Sequence, residues 1–209
     1  MRMRLPDGKR VMDVALTVPV FVLTLPLQAI VALLVSRKLG RPVFFEQRRP
    51  GLHGQPFTLR KFRTMLPVDE GLGRTDDESR MTEFGRILRS TSLDELPTLW
   101  NVIRGDMSLV GPRPLLMSYL ERYTPEQARR HEVRPGLTGL AQVSGRNSIS
   151  WEEKFLLDTH YARNRSTWLD IVILCRTLAC VVTRRGITAA DSVTMPEFLG
   201  SRTDEEMLK

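Results

Sequence analysis

Cysteine and histidine are scarce in this chain, and their placement excludes several chemistries. Only two of the 209 residues are cysteine, and Cys175 and Cys180 fall in one apolar stretch, at a spacing that fits neither a disulfide framework nor a zinc site. They read as reduced, packing thiols. The three histidines, His53, His131 and His160, share no helical or turn spacing, which disfavours a transition-metal centre. Acidic residues are outnumbered as well. The 24 Asp and Glu against 31 Lys and Arg leave a net charge of +7, which points to an anionic partner: nucleic acid, a phospholipid surface or a phosphorylated substrate. Composition does not choose among them. There is no internal repeat, no βαβ rhythm, and neither a G-x-G-x-x-G nor a P-loop pattern, so a Rossmann-type domain is disfavoured. What is present is apolar material, 42% of residues, enough for one folded domain with little room for a second.

From Val14 to Val35 no residue is charged, and only Thr17, Thr24 and Gln28 are polar. About 20 apolar residues suffice to cross a bilayer. Both flanks are basic, however: Arg2, Arg4, Lys9 and Arg10 precede the run, and Arg37, Lys38 and Arg41 follow it. Basic flanks favour the cytoplasmic side, so both ends are expected there. Pro26, near the middle, lacks the N–H that an α-helix needs. Together these predict a re-entrant helix that dips into one leaflet and returns, with its break at Leu25-Pro26. A second apolar stretch, Trp168 to Thr183, carries Asp170 and Arg176 and is too short and charged to span. It is an interfacial amphipathic helix or an ordinary core helix.

Between these segments, Val43–Phe45 and Phe57–Phe62 flank turn formers and predict a hairpin, with Lys61 and Arg63 on one side and Phe62 on the other. Residues 66–80 are polar and aperiodic, a mobile loop. Thr82 caps a short helix bearing Phe84, Ile87 and Leu88. Ser92 to Glu95 reads as a capping box that starts a helix with Leu93, Leu96, Trp100 and Ile103 on its apolar face, stopped by Gly105. Helices are also predicted from Thr124 and from Ser150, with a small strand at Leu140–Val143.

Asp94 and Glu95 in the first turn of a helix are most simply good helix-start residues. Arg86 and Arg89 close by, with Arg113 and Arg146 in Pro/Gly-rich loops, give a second reading, a phosphate site. There an ionised aspartate can bind Mg2+ or attack phosphorus, and the adjacent glutamate can act as general base. Lys61 and Arg63 are phosphate ligands or solvated strand residues. The glycines of Arg134–Asn147 present N–H groups to a diphosphate or merely turn the chain.

The ordered series Lys9-Arg10-Val-Met-Asp13, Lys61-Phe-Arg-Thr-Met65, Arg89-Ser-Thr-Ser-Leu-Asp94-Glu95-Leu-Pro97, Trp100 through Gly111-Pro-Arg113-Pro114 and Arg134-Pro-Gly to Gly145-Arg146-Asn147 resembles the bacterial sugar transferase family, the monotopic phosphoglycosyl transferases. The resemblance runs from Lys9 to about Gly186. With no multi-span extension ahead of it, the chain looks like the short branch typified by the undecaprenyl phosphate N,N'-diacetylbacillosamine 1-phosphate transferases, which implies an N-acetylated or diacetamido sugar. The fold implied is α+β: a mostly helical membrane-associated domain with a small hairpin, residues 1–39 forming the re-entrant helix and 40–209 a catalytic domain on the cytoplasmic face of the inner membrane. The resemblance further implies Mg2+-dependent ping-pong transfer of a phosphosugar from a UDP-sugar to polyprenyl phosphate. Asp94 would be the nucleophile and metal ligand, Glu95 its helper, Lys61, Arg89, Arg113 and Arg146 phosphate ligands, and Gly111–Pro114 the site of a cis proline. The family's Ser-Pro break is Leu25-Pro26 here, with the Thr24 hydroxyl as a substitute. No nucleic-acid partner is implied. A membrane-anchored basic module without catalysis, and a purely structural membrane protein, are the competing readings.

Overall fold

The computed structural model describes residues 8–145, 149–183 and 197–200. The first element, α1 (Gly8–Lys38), is one unbroken helix through both Pro19 and Pro26. Pro26 leaves the Val22 carbonyl without its i+4 donor. One residue before the break position, the Thr24 hydroxyl donates to the Val20 carbonyl at 2.7 Å and accepts from Gln28 Nε2 at 3.1 Å. The three polar residues of the uncharged run thus have a common location: Thr17 and Gln28 are buried and Thr24 is half-buried, on a stripe with Asp13, Val31, Val35 and Leu39. That stripe lies against the rest of the protein, while Leu16, Val20, Leu23, Leu27, Ile30 and Leu34 are exposed or nearly so on the outer face.

Both ends of α1 are attached to the same body. At its start, Lys9 Nζ lies 2.5 Å from Asp170 Oδ2, and Asp13 Oδ1 accepts from the Leu109 N–H at 3.1 Å. Arg10 donates to the carbonyls of Val102 and Ile103 at 2.5 and 2.6 Å, where a cation complements the exposed end of a helix. At its other end, Val31, Val35 and Leu39 form a buried cluster with Phe62 and Leu88.

The hairpin is as expected: β1 (Phe44–Pro50) pairs antiparallel with β2 (Pro56–Phe62), and Phe45 faces Lys61. The cis peptide bond found among the described residues is Arg41–Pro42, ahead of β1, and not in Gly111–Pro114 as the resemblance implied. Residues 66–80 are more ordered than their composition suggests. They hold a 3-10 turn, Glu70–Leu72, and α2 (Asp77–Arg80), and are closed at the neck by Leu66 N–H to the Arg80 carbonyl, 2.9 Å. Thr82 does cap α3 (Glu83–Ser90), accepting from Gly85 N–H at 3.0 Å.

The helix expected from Ser92 forms differently. Ser92 is left-handed (φ 57°) and makes no capping bond, Leu93–Glu95 is a 3-10 turn, and α4 (Thr98–Arg104) begins after Pro97. Pro97 has no N–H for the Leu93 carbonyl, and the Leu96 N–H takes that carbonyl instead in a 3-10 bond, which sets Leu93–Glu95 apart from α4. Gly105 ends α4 in the left-handed conformation. The strand expected at Leu140–Val143 is α6 (Leu140–Ser144); the strand before it has already ended at Thr138. That strand, β4 (Gly136–Thr138), pairs parallel with β3 (Ser108–Val110), while α5 (Pro125–Ala128) lies between them in sequence.

Thr124 opens α5 with a capping box to Gln127, and Ser150 caps α7 (Trp151–Asn164). Phe155 and Tyr161 of α7 are buried. The last helix, α8 (Thr167–Thr183), buries Asp170 and Ile173 and exposes Trp168, Ile171 and Leu178. Cys175 is exposed and Cys180 half-buried, both reduced, so the first is not the packing thiol expected.

Two glycines of the Arg134–Asn147 stretch, Gly136 and Gly139, are explained by contact. A Cβ on Gly136 would stand 2.1 Å from Gly111 N, and one on Gly139 2.1 Å from Gly111 O. Two backbones meet there without room for a side chain. Gly136→Ala should therefore destabilise the protein by about 1–3 kcal/mol or more, whereas Gly8→Ala, which meets nothing within 4 Å, should leave the melting temperature unchanged or raised; thermal melts in detergent check both.

Candidate active site

The 3-10 turn after Ser92 directs Asp94 and Glu95 into a group of cations. Glu95 Oε1 accepts from Lys61 Nζ at 2.5 Å and from Arg113 Nη2 at 3.0 Å, in place of the capping role sequence gave it. Burial opposes its charge, but Lys61 and Arg113 outweigh that effect and hold Glu95 down at about 2. Asp94 is its opposite. It is 7% exposed and accepts no hydrogen bond from a described residue, and burial plus the adjacent Glu95 charge push it up to about 6, against Lys61, Arg89 and Arg113. A pair of neighbouring carboxylates whose environments separate them this far is a mark of acid–base or nucleophilic chemistry.

Three contacts set this geometry. On the hairpin side, Thr98 Oγ1 donates to the Arg60 carbonyl at 2.7 Å, and Asn101 bonds both the Thr58 carbonyl (2.8 Å) and the Arg60 N–H (3.2 Å). These clasp α4 to β2 at Thr58 and Arg60, just ahead of Lys61. Beneath the turn, Leu93 and Leu96 pack on the cluster made by α1, β2 and α3. On the third side, the Gly111–Pro114 loop is seated by Gly111 N–H to the Thr138 carbonyl and Gly136 N–H to the Pro112 carbonyl, both 2.9 Å.

Of the residues singled out in sequence, Lys61, Arg89, Asp94, Glu95 and Arg113 come together. Arg89 Nε is held by Thr64 Oγ1 at 3.1 Å within the field of Asp94. Arg63 does not join them: its guanidinium donates to the carbonyls of Leu39 and Arg41, at the end of α1. Arg86 is exposed, and Arg146 lies outside the described residues. Sequence reasoning missed Arg49, which donates to the Gln47 amide at 2.6 Å and is lowered to about 10 by burial and the nearby Arg113; alternation along β1, which puts residues 45, 47 and 49 on one face, was the available signal. Two cations hold Glu95 down, so its geometry suits a fixed anion better than the general base that sequence offered.

No group of three or more His, Cys, Asp or Glu side chains among the described residues is arranged to hold a metal. Mg2+ does not need one, because it commonly takes one or two carboxylates and completes its shell with phosphate and water. The unpaired Asp94 carboxylate, with Glu95 already committed to two cations, fits that limited role.

A profile of the bacterial sugar transferase family matches residues 5–184. The chain belongs to this family. The sugar transferase is 57% identical to an uncharacterised sugar transferase, EpsL, of Bacillus subtilis over 168 residues, 80% of this chain and 83% of that one. It is 42% identical to a UDP-glucose:undecaprenyl-phosphate glucose-1-phosphate transferase of Caulobacter vibrioides, over 84% of this chain and 70% of that one. With an undecaprenyl-phosphate galactose phosphotransferase of Salmonella typhimurium it shares 37% over 85% of its own length, but it spans only 41% of that longer relative. The sugars in these names are glucose and galactose rather than a diacetamido sugar.

The opposed shifts of Asp94 and Glu95 predict opposed stability effects. Asp94 is raised, so the protonated form is favoured in the folded sugar transferase, and its ionisation costs stability as pH climbs from 3.8 to about 6. Asp94→Asn should then stabilise the protein at pH 7.5 by roughly 1–3 kcal/mol, seen as a raised melting temperature, and give no advantage below pH 4. Glu95 is depressed and contributes stability above 4.5 that is lost as pH falls toward about 2. Glu95→Gln should lower the melting temperature at pH 7.5; calorimetry across this range distinguishes the two.

Proposed function

We propose that this sugar transferase moves a phosphosugar from a UDP-sugar to polyprenyl phosphate, releasing UMP, by way of a phosphosugar carried on Asp94. The observation that carries this reading is an unpaired, largely buried Asp94 carboxylate among Lys61, Arg89 and Arg113. The charges of Lys61, Arg89 and Arg113 offset the repulsion between a carboxylate nucleophile and an anionic diphosphate. An Asp94 oxygen forms a bond to the β-phosphorus while the bond from that phosphorus to the oxygen shared with the α-phosphate breaks, and UMP departs with that oxygen. An oxygen of polyprenyl phosphate then attacks the same phosphorus, freeing the Asp94 carboxylate and giving the polyprenyl-diphosphosugar. No proton need be removed from either anionic nucleophile, which suits a Glu95 that serves as a fixed anion holding Lys61 and Arg113. Mg2+, held by Asp94 and the diphosphate, would supply further neutralisation. The names of relatives that carry glucose and galactose support UDP-hexoses as candidate donors beside the N-acetylated and diacetamido ones.

The membrane reading follows the same body. Because the inner stripe of α1 packs along the domain at both ends, the helix is read as re-entrant, entering and leaving on the cytoplasmic face of the inner membrane. Its outer apolar residues and the Trp168–Ile171–Leu178 stripe of α8 would contact lipid.

Incubation with UDP-sugars and Mg2+, without polyprenyl phosphate, should leave a phosphosugar on the peptide containing Ser92 to Pro97. Adding the lipid phosphate should give continuous UMP release. Asp94→Asn should abolish both, and kcat/KM for the donor should rise with pH through an inflection near 6. Release of UDP, or a fully active Asp94→Asn variant, would refute the scheme. In variants lacking Cys175 and Cys180, single cysteines placed before Lys9 and after Arg37 should be labelled from the same side of inverted vesicles; labelling from opposite sides would mean a spanning helix.

A further inference from the structure

The loop that delivers Arg113 has few donors with which to hold itself in place, chiefly the Gly111 N–H bonded to the Thr138 carbonyl at 2.9 Å. Pro112 and Pro114 have no N–H, so the segment is fixed mainly through its carbonyls, each taken by a group from elsewhere. Gly136 N–H takes the Pro112 carbonyl at 2.9 Å, and Arg130 Nη2 takes that of Arg113 itself at 2.8 Å. Arg130 is 2% exposed. Its Nε and Nη2 also donate to Asp158 Oδ2 of α7 at 3.1 and 2.6 Å, and its guanidinium carbon stands 5.8 Å from the ring centres of both Tyr123 and Phe155. Asp158, likewise 2% exposed, is committed to this contact.

A buried ion pair is seldom worth more to stability than a well-packed apolar pair of the same volume, because desolvating both charges offsets their attraction. Stability therefore does not account for a charged pair at this place. Its geometry does, since only a planar guanidinium can grip a carboxylate and still present an N–H to a carbonyl in a fixed direction. We propose that Arg130, oriented by Asp158, is a positioning residue for the transfer reaction: by fixing the Arg113 peptide it sets the direction in which the Arg113 side chain leaves the loop toward Glu95 and the donor diphosphate. The inference rests on the phosphate-binding role given above to Arg113.

The experiment replaces the pair by apolar residues, Arg130→Met with Asp158→Leu, in the full-length protein in detergent or nanodiscs, alone and combined with Arg113→Ala. UMP release, the melting temperature and amide exchange of the segment 108–118 are measured. The expected result is a melting temperature within a few degrees of the unmodified protein, a KM for the UDP-sugar raised tenfold or more, and faster exchange at Gly111, whose N–H is bonded to the Thr138 carbonyl. In that background Arg113→Ala should cost less than a further twofold, although it costs tenfold or more in the unmodified protein, because a guanidinium already misdirected has little left to lose. An undiminished effect of Arg113→Ala in the apolar-pair background, or unchanged exchange, would overturn the proposal. Should the double replacement not fold, Arg130→Lys carries the same test, since a lysine can pair with Asp158 without also reaching the Arg113 carbonyl. If the unmodified protein releases UMP from no UDP-sugar, the functional reading has failed, and the exchange measurement alone decides for or against the positioning role.

Discussion

Glu95 ties together three parts of the chain that are far apart in sequence. One carboxylate oxygen serves both Lys61, on the second strand of the hairpin, and Arg113, in the proline-flanked loop. An anion so largely removed from water is tolerated only when its partners are close and well aimed. The clasp of Thr98 and Asn101 on β2, and the glycine-to-glycine contact behind Gly111, supply that aim. Asp94 inherits its properties from this arrangement. With Lys61 and Arg113 engaged by its neighbour, it is left raised and accepts no hydrogen bond from a described residue.

The second constraint is the attachment of α1. Its polar residues face inward, its hydrocarbon outward, and its first turns carry a buried aspartate and two basic residues, all bonded to the domain. The first helix and the catalytic turn also share a hydrophobic cluster, in which Val31, Val35 and Leu39 lie with Phe62, Leu88, Leu93 and Leu96. Membrane attachment and active-site geometry therefore depend on one set of contacts.

Local chemistry was legible in the sequence wherever one interaction within a few residues decides the structure. Thr82, Thr124 and Ser150 cap the helices they appeared to cap, and the turn formers after Pro50 do make a hairpin. Reading failed where a local signal lost to a distant partner or to a missing donor. The capping-box pattern of Ser92 to Glu95 was undone by Pro97 and by the two cations that claim Glu95. The apolar run Leu140–Val143 was too short for its period to separate strand from helix. Site residues were found as a set because they carry charge in unusual loops, yet which of them would meet was not readable: Arg63 and Lys61 differ by two positions and serve different ends of the structure. Lys9 and Asp170, 161 positions apart, show no pattern at all before folding.

The buried stripe of α1 bears on what kind of part this helix is. A tether can be cut and leave a soluble enzyme behind; a wall cannot. Val31, Val35 and Leu39 are 3%, 0% and 5% exposed, so removing the helix would open Phe62 and Leu88 to water directly beneath the turn that holds Asp94. It would also strand the Asp170 carboxylate and the carbonyls at the end of α4 without their basic partners. The helix is in this sense a piece of the domain's core that shows its other, apolar side outward, and the placing of the Asp94 turn relative to that apolar face is built into the fold instead of being left to a linker.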